Sequence, residues 1–164
     1  MQIVSVNVAQ LRTLTVSGRE VQTGIFKEPV EGHVAVGELG LEGDVQADRR
    51  VHGGADQAVY AYAIEDVEWW ESELGRELGP GFFGENLTLR GVDVNGARPG
   101  DRWKAGGVTL EVTFPRQPCQ KMAAKAGDPK FVKRFANAGR PGRYLRVVEA
   151  GELAAGDPVD VSRR

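Results

Sequence analysis

The chain's one cysteine lies in Pro115-Arg116-Gln117-Pro118-Cys119-Gln120-Lys121, among residue types that fix and activate a thiol. Two prolines, each holding φ at about −65°, bracket Arg116 and Gln117 and stiffen the approach to the sulfur. Residues 120–126 are rich in helix formers and stop at Gly127, so Pro118 reads as the first helical residue. That places Cys119 in the first turn, beside unpaired backbone N–H groups. Helix N-termini and nearby Arg or Lys side chains lower a thiol's pKa, and Arg116 and Lys121 both stand close by. A thiolate made this way is a nucleophile or a soft metal ligand. The alternative is a small buried hydrophobe, the ordinary fate of a lone cysteine.

A second reactive neighbourhood runs from Gly43-Asp44 through Asp48-Arg49-Arg50-Val51-His52-Gly53-Gly54 to Asp56 and Tyr62. His52 precedes two glycines, where backbone can approach a ligand closely. As a general acid or base it would be oriented by Asp56 or Asp48. His33, between Gly32 and Val34, reads as structural. With two histidines and one cysteine, no spacing supports a structural zinc site.

Two further segments carry polar groups at strand entries. In Phe82-Phe83-Gly84-Glu85-Asn86-Leu87, Asn86 has both a donor and an acceptor to anchor a ligand or to tie down its own loop. Gly139-Arg140-Pro141-Gly142-Arg143-Tyr144 is a basic, glycine-punctuated turn of the sort that binds phosphate when its N–H groups converge. Gly-Asp recurs at positions 43, 100, 127 and 156 at unequal intervals, which reads as turn chemistry rather than an internal repeat. No Walker motif, dinucleotide fingerprint, nucleophile-elbow serine or His-Glu-X-X-His is present.

The elements that must position these groups are mainly strands. Glycine is abundant, 22 of 164 residues, and scattered between short alternating runs, as turns are in a β-rich chain. Val4, Val6 and Val8 alternate with polar residues, as do Val108, Leu110, Val112 and Phe114; residues 34–36, 59–63, 86–89, 144–148 and 158–161 complete the predicted strands. One helix is predicted from Ile64, Val67 and Leu74, with acidic residues in its first turn. Another opens at Asp128 and Pro129, turns Phe131, Val132 and Phe135 inward and ends at Gly139. Many short strands, few helices and no βαβ alternation point to a mainly β fold, closed or nearly closed as a barrel.

Length suits a single domain spanning 1–164. A net charge of −2 gives no basis for nucleic-acid binding. A lone cysteine, no secretory leader and no apolar run of about 18 residues predict a cytoplasmic protein without a membrane span.

The ordered set of motifs resembles the MOSC domain, found at the C-terminus of molybdenum cofactor sulfurases and as small free-standing bacterial proteins. The resemblance runs nearly end to end: Lys27-Glu28-Pro29-Val30, Gly43-Asp44 through His52-Gly53-Gly54 to Tyr62, Phe83-Gly84-Glu85-Asn86-Leu87, Gly100-Asp101, Pro115-Arg116-Gln117-Pro118-Cys119, and Gly142-Arg143-Tyr144-Leu145-Arg146-Val147 to Gly156-Asp157. It implies a β-barrel-based fold and a molybdenum cofactor (molybdopterin) whose metal meets Cys119, or a sulfur carried on that residue.

The same resemblance implies reduction of N-hydroxylated small molecules with electrons from a separate reductase; His52 or a bound water is the expected proton donor. Lys27, Arg50, Arg116 and Arg143 are the cations expected to hold the cofactor's phosphate, with Asp56 and Asn86 completing the binding set. Arginine's planar fork favours Arg116 for that task. The alternatives are a non-catalytic cofactor carrier, a sulfur-transfer protein using a Cys119 persulfide, and a cysteine hydrolase using Cys119 and His52. Longer bacterial relatives carry a helical C-terminal extension to which nothing here corresponds.

Overall fold

A computed structural model of the chain describes residues 1–45 and 54–162. The first part supplies β1 (Gln2–Val8), β2 (Arg12–Val16), β3 (Arg19–Thr23), β4 (Glu28–Pro29), β5 (Val34–Gly37) and β6 (Gly40–Leu41). A 3-10 turn, Ala55–Gln57, leads into β7 (Val59–Ala63), α1 (Ile64–Leu74) and β8 (Leu87–Arg90). Next come β9 (Arg102–Ala105), β10 (Val108–Pro115), α2 (Gln120–Ala126) and α3 (Phe131–Ala138). The described chain ends in β11 (Arg143–Glu149), β12 (Gly151–Leu153) and β13 (Val159–Ser162). Mainly β with three helices, this is the class the alternating runs predict.

Eight strands form one sheet in the order β13-β9-β10-β11-β7-β8-β1-β4. No sheet closes as a barrel among the described residues. β1 already pairs β8 on one side and β4 on the other, and it meets the approach to β13 through one antiparallel bridge, Gln2 to Pro158. Ile3 N–H donates to Asp157 O at 2.9 Å and Val159 N–H to Met1 O at 3.0 Å on either side of that bridge.

β7 and β8 run parallel, with α1 as their crossover, so one βαβ unit is present where none was expected. The hairpin β2–β3 was also not anticipated; Ser17 (φ 50°) and Gly18 (φ 77°) give it the doubly left-handed turn that matches strand twist.

The large sheet has two differently used faces. All five residues of β7 are buried, because both of its sides are covered. Val59, Ala61 and Ala63 join Ile3, Leu87, Leu110 and Leu145 in one apolar cluster. Tyr60 and Tyr62, pointing the other way, pack with Trp70 of α1, Met122 of α2 and Phe131 and Phe135 of α3. All three helices therefore cover the tyrosine face, and Cys119 packs against that cluster. In α3, Lys130 rather than Asp128 flanks the helix: the Asp128 carboxylate accepts from Lys130 N–H at 2.9 Å, and the helix proper begins at Phe131 rather than at Pro129.

Candidate functional site

β10 delivers the Pro115–Pro118 turn to the tyrosine face, and α2 carries the chain away from it. Residue 119 is extended (φ −135°, ψ 165°), so Pro118 is not helical and Cys119 is the residue flanking α2. Its carbonyl accepts the first helical bonds, from Met122 N–H at 3.1 Å and Ala123 N–H at 3.4 Å. The extended residue turns the chain off the sheet edge so that Met122, Ala123 and Ala126 bury. Cys119 itself is half-buried.

Arg116 is the side chain that turns back on the sulfur. Its Nη2 lies 4.0 Å from Cys119 Sγ, and its guanidinium carbon lies 4.9 Å above the Tyr60 ring. Gly84 makes room for it: at φ +81°, an added Cβ would stand 3.5 Å from Arg116 Nη1 and 3.1 Å from Ile25. Arg116 is 9% exposed, and its Nε has no hydrogen-bond partner among the described residues. Burial would lower its pKa, but Tyr144, Tyr60 and Cys119 outweigh that and raise it, so the guanidinium stays charged. Burial also holds the phenols of Tyr60 and Tyr144 above their ordinary pKa, leaving a neutral aromatic floor under the cation.

Lys27 and Asp44 form a buried pair beside this floor, 8% and 5% exposed, with Nζ at 2.7 and 3.0 Å from the two carboxylate oxygens. Burial lowers the Lys27 pKa, and Asp44 opposes the shift. Asp44 also accepts from Ala9 N–H at 2.9 Å and from Asn86 Nδ2 at 2.8 Å. Asn86 spends its amide on the protein: Nδ2 donates to Asn7 O and Asp44, while Oδ1 accepts from Tyr60 N–H at 3.1 Å. Of its two sequence-based readings, the loop tie is the one its contacts describe. Gly81 makes the close approach behind Lys27, where a Cβ would sit 2.4 Å from the Lys27 carbonyl.

Other expected site residues are placed differently. Arg50 and His52 lie outside the described residues. Asp56 is 62% exposed and faces Arg146 at 3.5 Å. Arg143 neighbours Tyr144 on β11, so its side chain leaves the sheet on the opposite side from the tyrosine face. There it donates to Ala97 O at 3.1 Å, Gly142 O at 3.0 Å and Asn95 O. In the basic turn before it, Gly142 N–H is taken by Asn95 Oδ1 at 3.1 Å.

Three contributors escaped sequence reasoning. Lys125 on α2 donates to the carbonyls of Ile25, Gly81 and Phe82 behind the recess, and its charge interacts with those of Arg116, Lys27 and Glu85. Tyr60 and Tyr144 supply the floor. A lysine in Ala-Ala-Lys-Ala and tyrosines on two separate strands look like solvated and core residues, so the sequence held no signal for them.

The MOSC domain family model matches residues 48–160. The chain is 36% identical over 162 residues to YflK, an uncharacterized protein of Bacillus subtilis (strain 168), spanning 99% of this chain and 73% of that one. It is 32% identical over 151 residues to a protein of Gibberella moniliformis named Reductase, 90% of this chain but 27% of that protein. Among solved structures, YiiM from Geobacillus stearothermophilus matches with TM-score 0.80 at 37% identity, over 99% of this chain and 75% of that one. No helix among the described residues is long and apolar enough to cross a membrane. With the family model covering more than half of its residues and relatives at this identity, the chain belongs to the MOSC domain family, which includes molybdenum cofactor-binding proteins.

Proposed function

We propose that this domain holds a molybdenum cofactor on its tyrosine face and reduces N-hydroxylated compounds there, with electrons from a separate reductase. Arg116 carries the reading. A buried cation whose Nε finds no acceptor among the described residues, beside a half-buried thiol, is a costly arrangement unless a ligand supplies that acceptor. Soft sulfur and hard cations in one recess suit a group that has both a soft metal and an anionic phosphate. A unit-charge pair at about 4 Å is worth roughly 1 kcal/mol in water and about 4 kcal/mol at an effective dielectric of about 20, so the enclosed setting of Arg116 favours anion retention, whereas Lys27 shares its charge with Asp44.

A bound cofactor would supply the two-electron chemistry. The chain's own residues would do the rest: Cys119 ligating the metal, Arg116 and Lys27 holding the phosphate, Tyr60 and Tyr144 excluding water from below. Reducing N–OH to N–H consumes two electrons and two protons and releases water. His52 or a bound water would give a proton at the substrate oxygen. The sequence has no flavin, haem or iron–sulfur motif, so the electrons come from a partner. The fungal relative named Reductase favours this redox reading.

Elemental analysis of gently purified protein, paired with turnover of an amidoxime by added reductase, tests it. Wild type should retain molybdenum and turn over; Cys119→Ser should lose both. Turnover by metal-free protein would overturn the proposal. Metal without turnover, or a mass gain of about 32 Da on Cys119, would instead assign a carrier or a sulfur-transfer protein.

A further inference from the structure

Behind the recess lies a buried charge to which the reading above gives no role. Lys125 Nζ donates to Phe82 O at 2.7 Å, Ile25 O at 3.1 Å and Gly81 O at 3.3 Å. The ammonium also lies 4.9 Å from the Phe82 ring centre and 5.3 Å from that of Phe26. Its three hydrogens meet three carbonyls, so the charged form is fully used. Two of those carbonyls also serve the recess directly: Lys27 N–H donates to Ile25 O, and Gly84 N–H donates to Gly81 O, both at 3.0 Å. Lys125 thereby ties the helix that follows Cys119 to the segment bearing Lys27 and to the loop against which Arg116 packs.

We propose that Lys125 is a positioning residue for this recess: its ammonium is the joint that keeps α2, the Lys27 segment and the loop 81–86 in register, and loss of its proton slackens that joint. The inference rests on the recess being a ligand site, as read above. A neutral amine has two hydrogens for three carbonyls, so one bond is lost on deprotonation.

The charge is not kept for the sake of the fold. Burial lowers the Lys125 pKa to about 8, with Glu85 opposing and Arg116, Lys27 and Arg12 reinforcing the shift; Arg76 is a further charge nearby, over the same Phe82 ring at 5.6 Å. A group whose proton binds less tightly in the folded chain than in the unfolded chain costs stability while it is charged. A charge retained near neutral pH at that cost, at the meeting point of three site segments, points to the site.

Amide resonances of Lys27 and Gly84, which share carbonyls with Lys125, are the reporters, together with the Nε–H resonance of Arg116. In wild type all three should shift together, with a midpoint at about pH 8. The inflection should vanish in Lys125→Arg, which stays charged, and in Lys125→Met, which has no proton to lose. Should Lys125→Met not fold, Lys125→Arg decides alone. A wild type with no inflection near that pH, a flat Arg116 response, or an inflection that survives in either variant overturns the proposal. The measurement needs neither metal nor turnover, so its failure is separate from failure of the molybdenum reading.

Discussion

Glu85 and Lys125 grip the same loop from opposite sides. Glu85 accepts its N–H groups, from Gly81 at 2.7 Å and Phe83 at 3.1 Å, while Lys125 donates to the carbonyls of Gly81 and Phe82. The loop so held carries Gly84, over which Arg116 lies, and Asn86, which braces Asp44. Glu85 is fully buried; burial raises its pKa, and the bonds from Gly81, its own N–H and Thr88, with the charge of Lys125, pull it back down.

Glu85→Gln should therefore destabilise the protein although it removes a buried charge. The two carboxylate oxygens accept from Gly81, Phe83 and the Thr88 hydroxyl, and an amide NH₂ in place of one oxygen would confront a donor with a donor. Leaving a buried donor unsatisfied costs about 1–3 kcal/mol. Urea denaturation should show a lower midpoint with unchanged slope; a midpoint equal to wild type would show that the loop does not depend on this grip.

How the loop would be held was only partly legible. Sequence reasoning found the strands whose apolar residues alternate, such as β1, β10 and β11, because one face of each meets an apolar cluster. It missed β9, whose pattern is hidden by charged Arg102 and Lys104 on the outer face, and β12, which is three residues long. At the site, Arg116 and Cys119 were legible because they lie three positions apart on a stiff turn. Arg143 was not, because a basic residue beside a glycine turn does not reveal which face of its strand it occupies. Lys125 became visible only through partners about 43 to 100 residues away in sequence, a relation set by tertiary packing.

Arg116→Met should slow alkylation of Cys119 by iodoacetamide at neutral pH. The guanidinium at 4.0 Å from Sγ favours the thiolate, the form that reacts. A loss of about 1.4 kcal/mol of thiolate stabilisation corresponds to about a ten-fold slower reaction. An unchanged rate would mean that this cation does not activate the sulfur.

Gly142→Ala should destabilise strongly. The residue sits at φ +71°, and an added Cβ would lie 2.6 Å from Ala61 O and 2.8 Å from the rings of both Tyr60 and Tyr62. Backbone strain of this type costs on the order of 1–3 kcal/mol, and the clash with a central strand adds to it. Thermal melts should fall by several degrees; a change within about 0.5 kcal/mol would contradict the packing of β11 against β7 described above.

The pH dependence of stability separates the Lys125 charge from the rest of the recess. Its pKa is about 8 when folded against an ordinary 10.5, so between those values the unfolded chain binds more protons and stability rises with pH. Below about pH 8 both states hold the proton and Lys125 contributes no slope. At about 1.4 kcal/mol for each tenfold difference in proton affinity, the gain across this window is on the order of 2–3 kcal/mol. Lys27, lowered in the same direction, adds to the wild-type slope but is common to both proteins compared. Urea midpoints at about pH 7.5 and pH 10 should therefore rise more in wild type than in Lys125→Arg, whose guanidinium does not titrate in this range. Parallel behaviour of the two proteins would mean that the Lys125 ammonium is not buried at a cost, and the argument that its charge serves the recess would fall with it.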